Sequence, residues 1–357
     1  MFMRSASRRS SRPLAVAVAA LLGLLLVLVA ACGGGGGGAS VPACQTGTDS
    51  ESQTPAPAPS LTLKTASYEG TGSPQCIKEL GFQPVLVIIK GDTSEWTVWR
   101  SGSMEGDTTA DFASGQPNIK DAITSLDPGA FSLGKDPSVN AEGVTYNYVA
   151  FADSPDIKVG TYVGDGVDGR SITGVGFQPA LVFVKWDGLR TTVWTSTAQP
   201  EGASSFLHGQ SDQPNFIRSL LPDGFQVSAD PWVNQLETST EAGAVYHYVA
   251  FREAPGHLQI GTYVGDNTGS RAITGIGFQP DYLWIKRNSA ESRAVHRPSS
   301  LSGDATLRFG DVPNGPGEIT ALLPDGFQVG PEAAVNFAGD FAGDTYYYVA
   351  WKSSGGP

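Results

Sequence analysis

The sequence predicts an all-β protein of three tandem antiparallel β-sandwich repeats, each about 100 residues long. Three observations lead there. Gly (45) and Pro (24) make up about 19% of the 357 residues, where roughly 12% is ordinary, and a turn-rich all-β chain needs that excess. The apolar residues fall in short β-branched and aromatic runs rather than at helical spacing. Finally, the chain repeats itself: Tyr146-Asn-Tyr-Val-Ala-Phe151 returns as Tyr246-His-Tyr-Val-Ala-Phe251 and as Tyr346-Tyr-Tyr-Val-Ala-Trp351.

Residues 1–31 read as an export signal. Arg4, Arg8, Arg9 and Arg12 form a basic leader with no acidic residue, and Leu14–Val29 is an apolar stretch too short for a comfortable membrane span. The stretch ends in Val29-Ala30-Ala31-Cys32, which resembles a bacterial lipobox. An ordinary signal-peptidase site also fits Val-Ala-Ala. The Cys in last position, followed by the glycine tether 33–38, favours lipidation of Cys32 and a membrane anchor in the bacterial cell envelope, facing the periplasm or the exterior. Losing the signal removes four Arg and takes the net charge from −12 to −16. No basic footprint remains, so nucleic acid is excluded as a partner.

Residues 32–60 are a Gly/Ser/Pro-rich spacer with little to bury. With Cys32 lipidated, Cys44 and Cys76 form an even pair in an oxidising compartment, and their disulfide closes a loop worth about 3–4 kcal/mol in the chain-entropy model. It pins the spacer to the first repeat, where Cys76 stands in the place of Ser171 and Ala272.

The repeats are residues 61–153, 154–254 and 255–357. In the second, Ala180–Lys185 is a continuous apolar run after Pro179, long enough for a strand buried on both faces; Val85–Lys90 and Asp281–Lys286 are its equivalents. Gly160–Val163, Thr191–Thr195, Phe225–Val227 and Val245–Phe251 add strands, while Phe216–Leu221 reads as a short helical turn before Pro222-Asp223-Gly224. Five to seven strands in each repeat make a sandwich. The joints Ser154-Pro155-Asp156 and Ala254-Pro255-Gly256 are short, which predicts a stiff rod of three beads.

The Gly-Phe-Gln-Pro stretch with its apolar strand and Lys185, the Asp223-Gly224-Phe225 turn and the closing Tyr246–Phe251 strand carry a resemblance. Residues 61–352 resemble a β-repeat family of unknown function, found in secreted and surface proteins of bacteria and in phage virion or tail proteins. The resemblance implies an extracellular displayed module and brings no catalytic residues with it.

Chemistry is sparse. His208, His247, His257 and His296 share no register and lie at no metal-ligand spacing, and no Gly-x-Ser-x-Gly elbow exists, so neither a metal site nor a Ser-His-Asp triad is expected. Asp223 and Asp325 recur in Pro-Asp-Gly, where the turn itself wants them. Asp165-Gly-Val-Asp168 offers clustered oxygens to calcium, but unit three loses the second carboxylate and a turn is the better reading. Lys90, Lys185 and Lys286 end the buried strand, as cations emerging into water. Positions that differ between repeats are where ligand choice would lie: Trp99 and Trp194 share a position, and His296-Arg297 stands there in the third repeat. As exposed rings they would stack on sugars; as core residues they would only cover the sandwich. The sequence therefore predicts a non-enzymatic, lipid-anchored display or binding protein acting in adhesion, envelope assembly or glycan recognition, with no cofactor. The alternatives are a purely structural envelope spacer and, further off, an envelope glycosidase with two facing carboxylates.

Overall fold

The apolar runs form the strands that organise everything else. The computed structural model describes residues 44, 57–113, 115–236, 244–289, 293–338 and 344–355, so the signal, Cys32 and most of the spacer lie outside the described residues. The first segment contains β1 (Leu63–Glu69), β2 (Gln75–Ile77), β3 (Pro84–Gly91), β4 (Val98–Ser101), β5 (Ala110–Asp111), β6 (Ile123–Asp127), β7 (Ala130–Leu133), α1 (Pro137–Asn140) and β8 (Thr145–Ala152). The second contains β9 (Ile157–Val163), β10 (Arg170–Thr173), β11 (Pro179–Trp186), β12 (Val193–Ser196), β13 (Ala203–Phe206), β14 (Gln213–Pro214), β15 (Ile217–Leu221), β16 (Gly224–Val227), α2 (Pro231–Asn234) and β17 (Val245–Arg252). The third contains β18 (Leu258–Val264), β19 (Arg271–Thr274), β20 (Tyr282–Arg287), β21 (Val295–Pro298), β22 (Ala305–Arg308), β23 (Gly315–Pro316), β24 (Ile319–Leu323), β25 (Gly326–Val329), α3 (Ala333–Asn336) and β26 (Thr345–Trp351).

Each segment folds into a larger and a smaller antiparallel sheet. The larger sheets run β1-β8-β3-β4-β5, β9-β17-β11-β12-β13-β14 and β18-β26-β20-β21-β22-β23. The smaller ones are β2-β7-β6, β10-β16-β15 and β19-β25-β24. The two sheets of one segment enclose a core: Val182, Val184, Phe225 and Tyr246 in the second, Leu283, Ile285, Phe327 and Tyr346 in the third, Val87, Ile89, Phe131 and Tyr146 in the first.

Phe216–Leu221 is not helical. Its residues 217–221 form β15, joined by a tight turn to β16 with Leu221 opposite Gly224. Gly224 sits at φ 148°, and a Cβ there would lie 1.9 Å from the carbonyl oxygen of Ile172, so the turn excludes any other residue. The helical turns occur instead at α1, α2 and α3. Asp136 and Asp230 cap the first two, accepting from the backbone N–H of Ser138 and Trp232. Tyr146, Tyr246 and Tyr346 clamp the three turns, each hydroxyl donating to a helix carbonyl (Pro137, Pro231 and Ala333) and accepting from the N–H just beyond the helix.

The rod of separate beads is overturned. The strand predicted to be buried on both faces is so buried, with Pro179 to Lys185 all shielded from water. The smaller sheet covers one face only. On the other face the three larger sheets pack against one another, around a core drawn from all three segments. Phe151, Phe251 and Trp351 close the three Tyr-x-Tyr-Val-Ala motifs and meet there, with ring centroids 5.3, 5.7 and 6.0 Å apart pair by pair. Trp99 packs edge-on to Phe183 at 5.1 Å, and Phe112 to Trp284 at 5.6 Å. A second apolar face on every larger sheet would cost far too much in water to be left open.

Candidate functional site

The shared core decides the fate of the predicted aromatic site. Trp99 and Trp194 are 0% and 1% exposed, inside the core rather than on a sugar-binding surface. His296 is 2% exposed; its Nδ1 lies 3.0 Å from the Tyr282 hydroxyl and its Nε2 3.2 Å from Thr97 Oγ1 of the first segment. Burial, reinforced by the charge of Lys90, holds this imidazole well below its usual pKa, so it is neutral. Arg297 is buried too, and its guanidinium donates to the carbonyls of Leu301, Gly303, Ala305 and Ile319. Arg100 does the same for its own loop in the first segment. None of the four is presented to a ligand, because each faces either a neighbouring segment or a loop that it holds.

The recurrent lysines do not emerge into water either. Lys90, Lys185 and Lys286 are at most 1% exposed and lie at the seams. Lys90 Nζ donates to Thr93 O and Glu95 O of its own hairpin and, at 3.2 Å, to Val312 O of the third segment. Lys185 reaches Gln116 O of the first segment at 3.3 Å, and Lys286 reaches Gln210 O of the second at 3.1 Å. The strand ends where a neighbour's loop begins, so the cation is received by carbonyls instead of solvent. Burial pushes each of these lysines down to about 8.

The turn aspartates have a further task. Asp223 accepts from the N–H of Gly174 and Gly176, and Asp325 from those of Gly275 and Gly277, stapling the Gly-Phe-Gln-Pro loop to the hairpin. Asp165 is held by Arg170, Asn234 and the N–H of Val167, and Asp168 pairs with Arg218, so these carboxylates serve loop structure. Asn140, Asn234 and Asn336 are fully buried pins at the ends of the helical turns. Their repeated Val-Asn signature was available in the sequence.

One constellation crosses a seam without any sequence spacing to announce it. Ser103, in the loop after β4, places Oγ 3.3 Å from His247 Nδ1 on β17. His247 Nε2 lies 2.9 Å from Asp187 Oδ1, in the hairpin after β11. Asn118 of the first segment also donates to Asp187 Oδ1, and Ser101 Oγ lies 2.8 Å from Ser103 Oγ. The imidazole is buried, Ser103 is half-buried and Asp187 exposed. The corresponding residues of the other segments are Asn147 and Tyr347, so this arrangement occurs at one seam only among the described residues.

Two clefts stand out, one within the first segment and one at a seam. One of about 660 Å³ is lined by Pro57, Phe82, Gln83, Ser101, Gly102 and Met104 among others. The other, about 880 Å³, lies where the first and third segments meet and is edged by Thr62, Thr65, Phe82, Ser299, Ser353 and Ser354. The Cys44–Cys76 disulfide, with Cα atoms 5.6 Å apart, fixes Cys44 to the first smaller sheet, and Cys44 N–H donates to Ser132 Oγ. Cys76 lies opposite Ser132, the register held by Ser171 and Ala272 in the other two smaller sheets.

Comparison with known families matches residues 253–357 to a domain of unknown function (DUF7483). No curated protein matches the chain.

Proposed function

We propose that this chain is an envelope-anchored display protein, in which Cys32 carries lipid, the spacer sets the reach, and the three segments form one structural head. The observation that supports this best is the shared aromatic core. Rings that would serve separate binding sites on tandem beads are committed to holding the segments together. This supports structure and display over glycan recognition by those rings. The Cys44–Cys76 bond supports the same reading, since it ties the spacer to the head through an exported-type disulfide. Fractionation of the full chain in a bacterial host tests the anchor: wild type is expected with membranes and Cys32→Ser in the soluble exported fraction. Equal partitioning of the two would overturn it.

A second reading keeps ligand recognition but moves it off the tryptophans. The cleft of about 880 Å³ joins hydroxyls of Thr62, Thr65, Ser299 and Ser353 to the ring of Phe82, the mixture of apolar wall and few polar groups that small polar ligands such as glycans require. A glycan screen with wild type and Phe82→Ala tests it. Saturable binding that is lost in the variant supports this reading, and no binding by either form removes it.

A further inference from the structure

We propose that Ser103 is a chemically activated serine, with His247 as its base and Asp187 as the group that orients the base. This goes beyond the display reading and stands or falls separately from it. The hydrogen-bond directions are determined by the partners. A carboxylate only accepts, so His247 Nε2 carries the proton and donates to Asp187 Oδ1 at 2.9 Å. In the neutral imidazole Nδ1 is then the acceptor, to which the Ser103 hydroxyl donates at 3.3 Å. Ser103 Oγ then accepts from Ser101 Oγ at 2.8 Å. Every member of the chain points the way an activated nucleophile requires, with the usual roles of the two ring nitrogens exchanged.

The surroundings suit the role. His247 is held by β17 between two strands, opposite Lys185 on one side and Thr161 on the other, so the ring cannot drift. Asp187 is fixed from the far side by Asn118 of the first segment. The residues on either side of Ser103, Gly102 and Met104, line the cleft of about 660 Å³ together with Ser101, whose hydroxyl touches that of Ser103, so the chain of hydroxyls adjoins a space large enough for a small acyl ester.

The reaction this arrangement supports is acyl transfer from a carboxylic ester. Ser103 Oγ bonds to the acyl carbon while its proton passes to His247 Nδ1. The ester C–O bond then breaks, and the departing alkoxide takes that proton. Water, deprotonated by the same nitrogen, then bonds to the acyl carbon; the acyl–Oγ bond breaks, the carboxylic acid leaves, and Ser103 Oγ takes the proton back from Nδ1. No co-reactant beyond the ester and water is required.

The test uses the full chain and a fluorophosphonate, which marks serines whose hydroxyl is activated, with the adduct located by peptide mass spectrometry. Ser103 is expected to react ahead of the other serines, with the rate followed as a function of pH. Labelling is expected to fall by about 100-fold in His247→Gln and by at least about 10-fold in Asp187→Asn. Asp187 is exposed and its replacement isosteric, so Asp187→Asn remains decisive should His247→Gln fail to fold. Labelling of Ser103 no faster than of other surface serines overturns the proposal. So does unchanged labelling in a folded Asp187→Asn protein, since a merely structural contact would leave the rate and its pH profile alone.

Discussion

Phe251 offers the sharpest test of the shared core. It is 1% exposed and touches Phe151 of the first segment and Trp351 of the third, with ring centroids 5.3 and 5.7 Å away. In Phe251→Ala the lost burial and the cavity left at a three-way contact should cost about 3–5 kcal/mol. A head of roughly 300 residues unfolds with about 0.6 kcal/mol/K of entropy, so the loss lowers Tm by about 5–8 °C. Scanning calorimetry of the full chain is the assay, with near-UV circular dichroism as a second probe. One transition, shifted as a whole, is expected, because removing the ring loosens all three segments together. On a rod of independent beads this Phe would be a surface residue, and its loss would cost no more than about 0.5 kcal/mol. A shift below about 1 °C, or resolved transitions of which one moves, would refute the shared-core reasoning.

The other predictions concern the seams and the spacer. The folded state holds Lys90, Lys185 and Lys286 at about 8, below the ordinary lysine value of 10.5. Between those two values the unfolded chain binds more protons than the folded one, so stability should rise with pH from about 8 toward 10. Above pH 10 the direction reverses, because burial raises Tyr162, Tyr263 and Tyr282 in the folded state and the unfolded chain ionises first. Melting curves across pH 7–11 check this, and a flat profile between 8 and 10 that Lys185→Met leaves unchanged would contradict it. Replacing Cys44 and Cys76 together by Ser should cost up to about 3–4 kcal/mol in a denaturant midpoint, a loss that reductant should reproduce in the wild type; insensitivity to reductant would argue against the pairing in solution. His296→Trp restores the residue of the first two segments but should destabilise by about 1–3 kcal/mol, since the site is already filled by Phe309 at 4.3 Å and loses its bonds to Thr97 and Tyr282. A more stable variant would mean that the seam is loosely packed.

Local structure was legible because local physics decides it. The run after Pro179 became β11, the closing motif became β17, and Cys76 took the register of Ser171 and Ala272. Where two local signals competed, the reading failed: Phe216–Leu221 carries no clear alternation, and pairing across the tight turn to Gly224 decided for a strand. The short helical turns were missed although Asp-Pro announces a cap before two of them and Val-Asn closes all three. The Ser103–His247–Asp187 contact left no trace in spacing, since its members come from two segments and meet only once the sheets pack.

The misplaced binding site has a physical cause that extends beyond these residues. Segments joined around one core do not meet three identical partners: each seam pairs two different sequences. Residues facing a segment's own smaller sheet see the same surroundings each time, and there the tyrosines 146, 246 and 346 agree. Several residues facing a neighbour see different surroundings and diverge: Ile88, Phe183 and Trp284 in one position, Trp99, Trp194 and His296 opposite them, Phe112, Leu207 and Phe309 in a third. Side chains must interlock across each seam, so Trp284 of the third segment stands against Phe112 of the first, and Trp99 of the first against Phe183 of the second. At these positions divergence between repeats thus marked where segments touch one another. The same rule locates the exception: at position 147/247/347 the chain carries Asn, His and Tyr, and the His seam is the one where a serine and a carboxylate converge on a single ring.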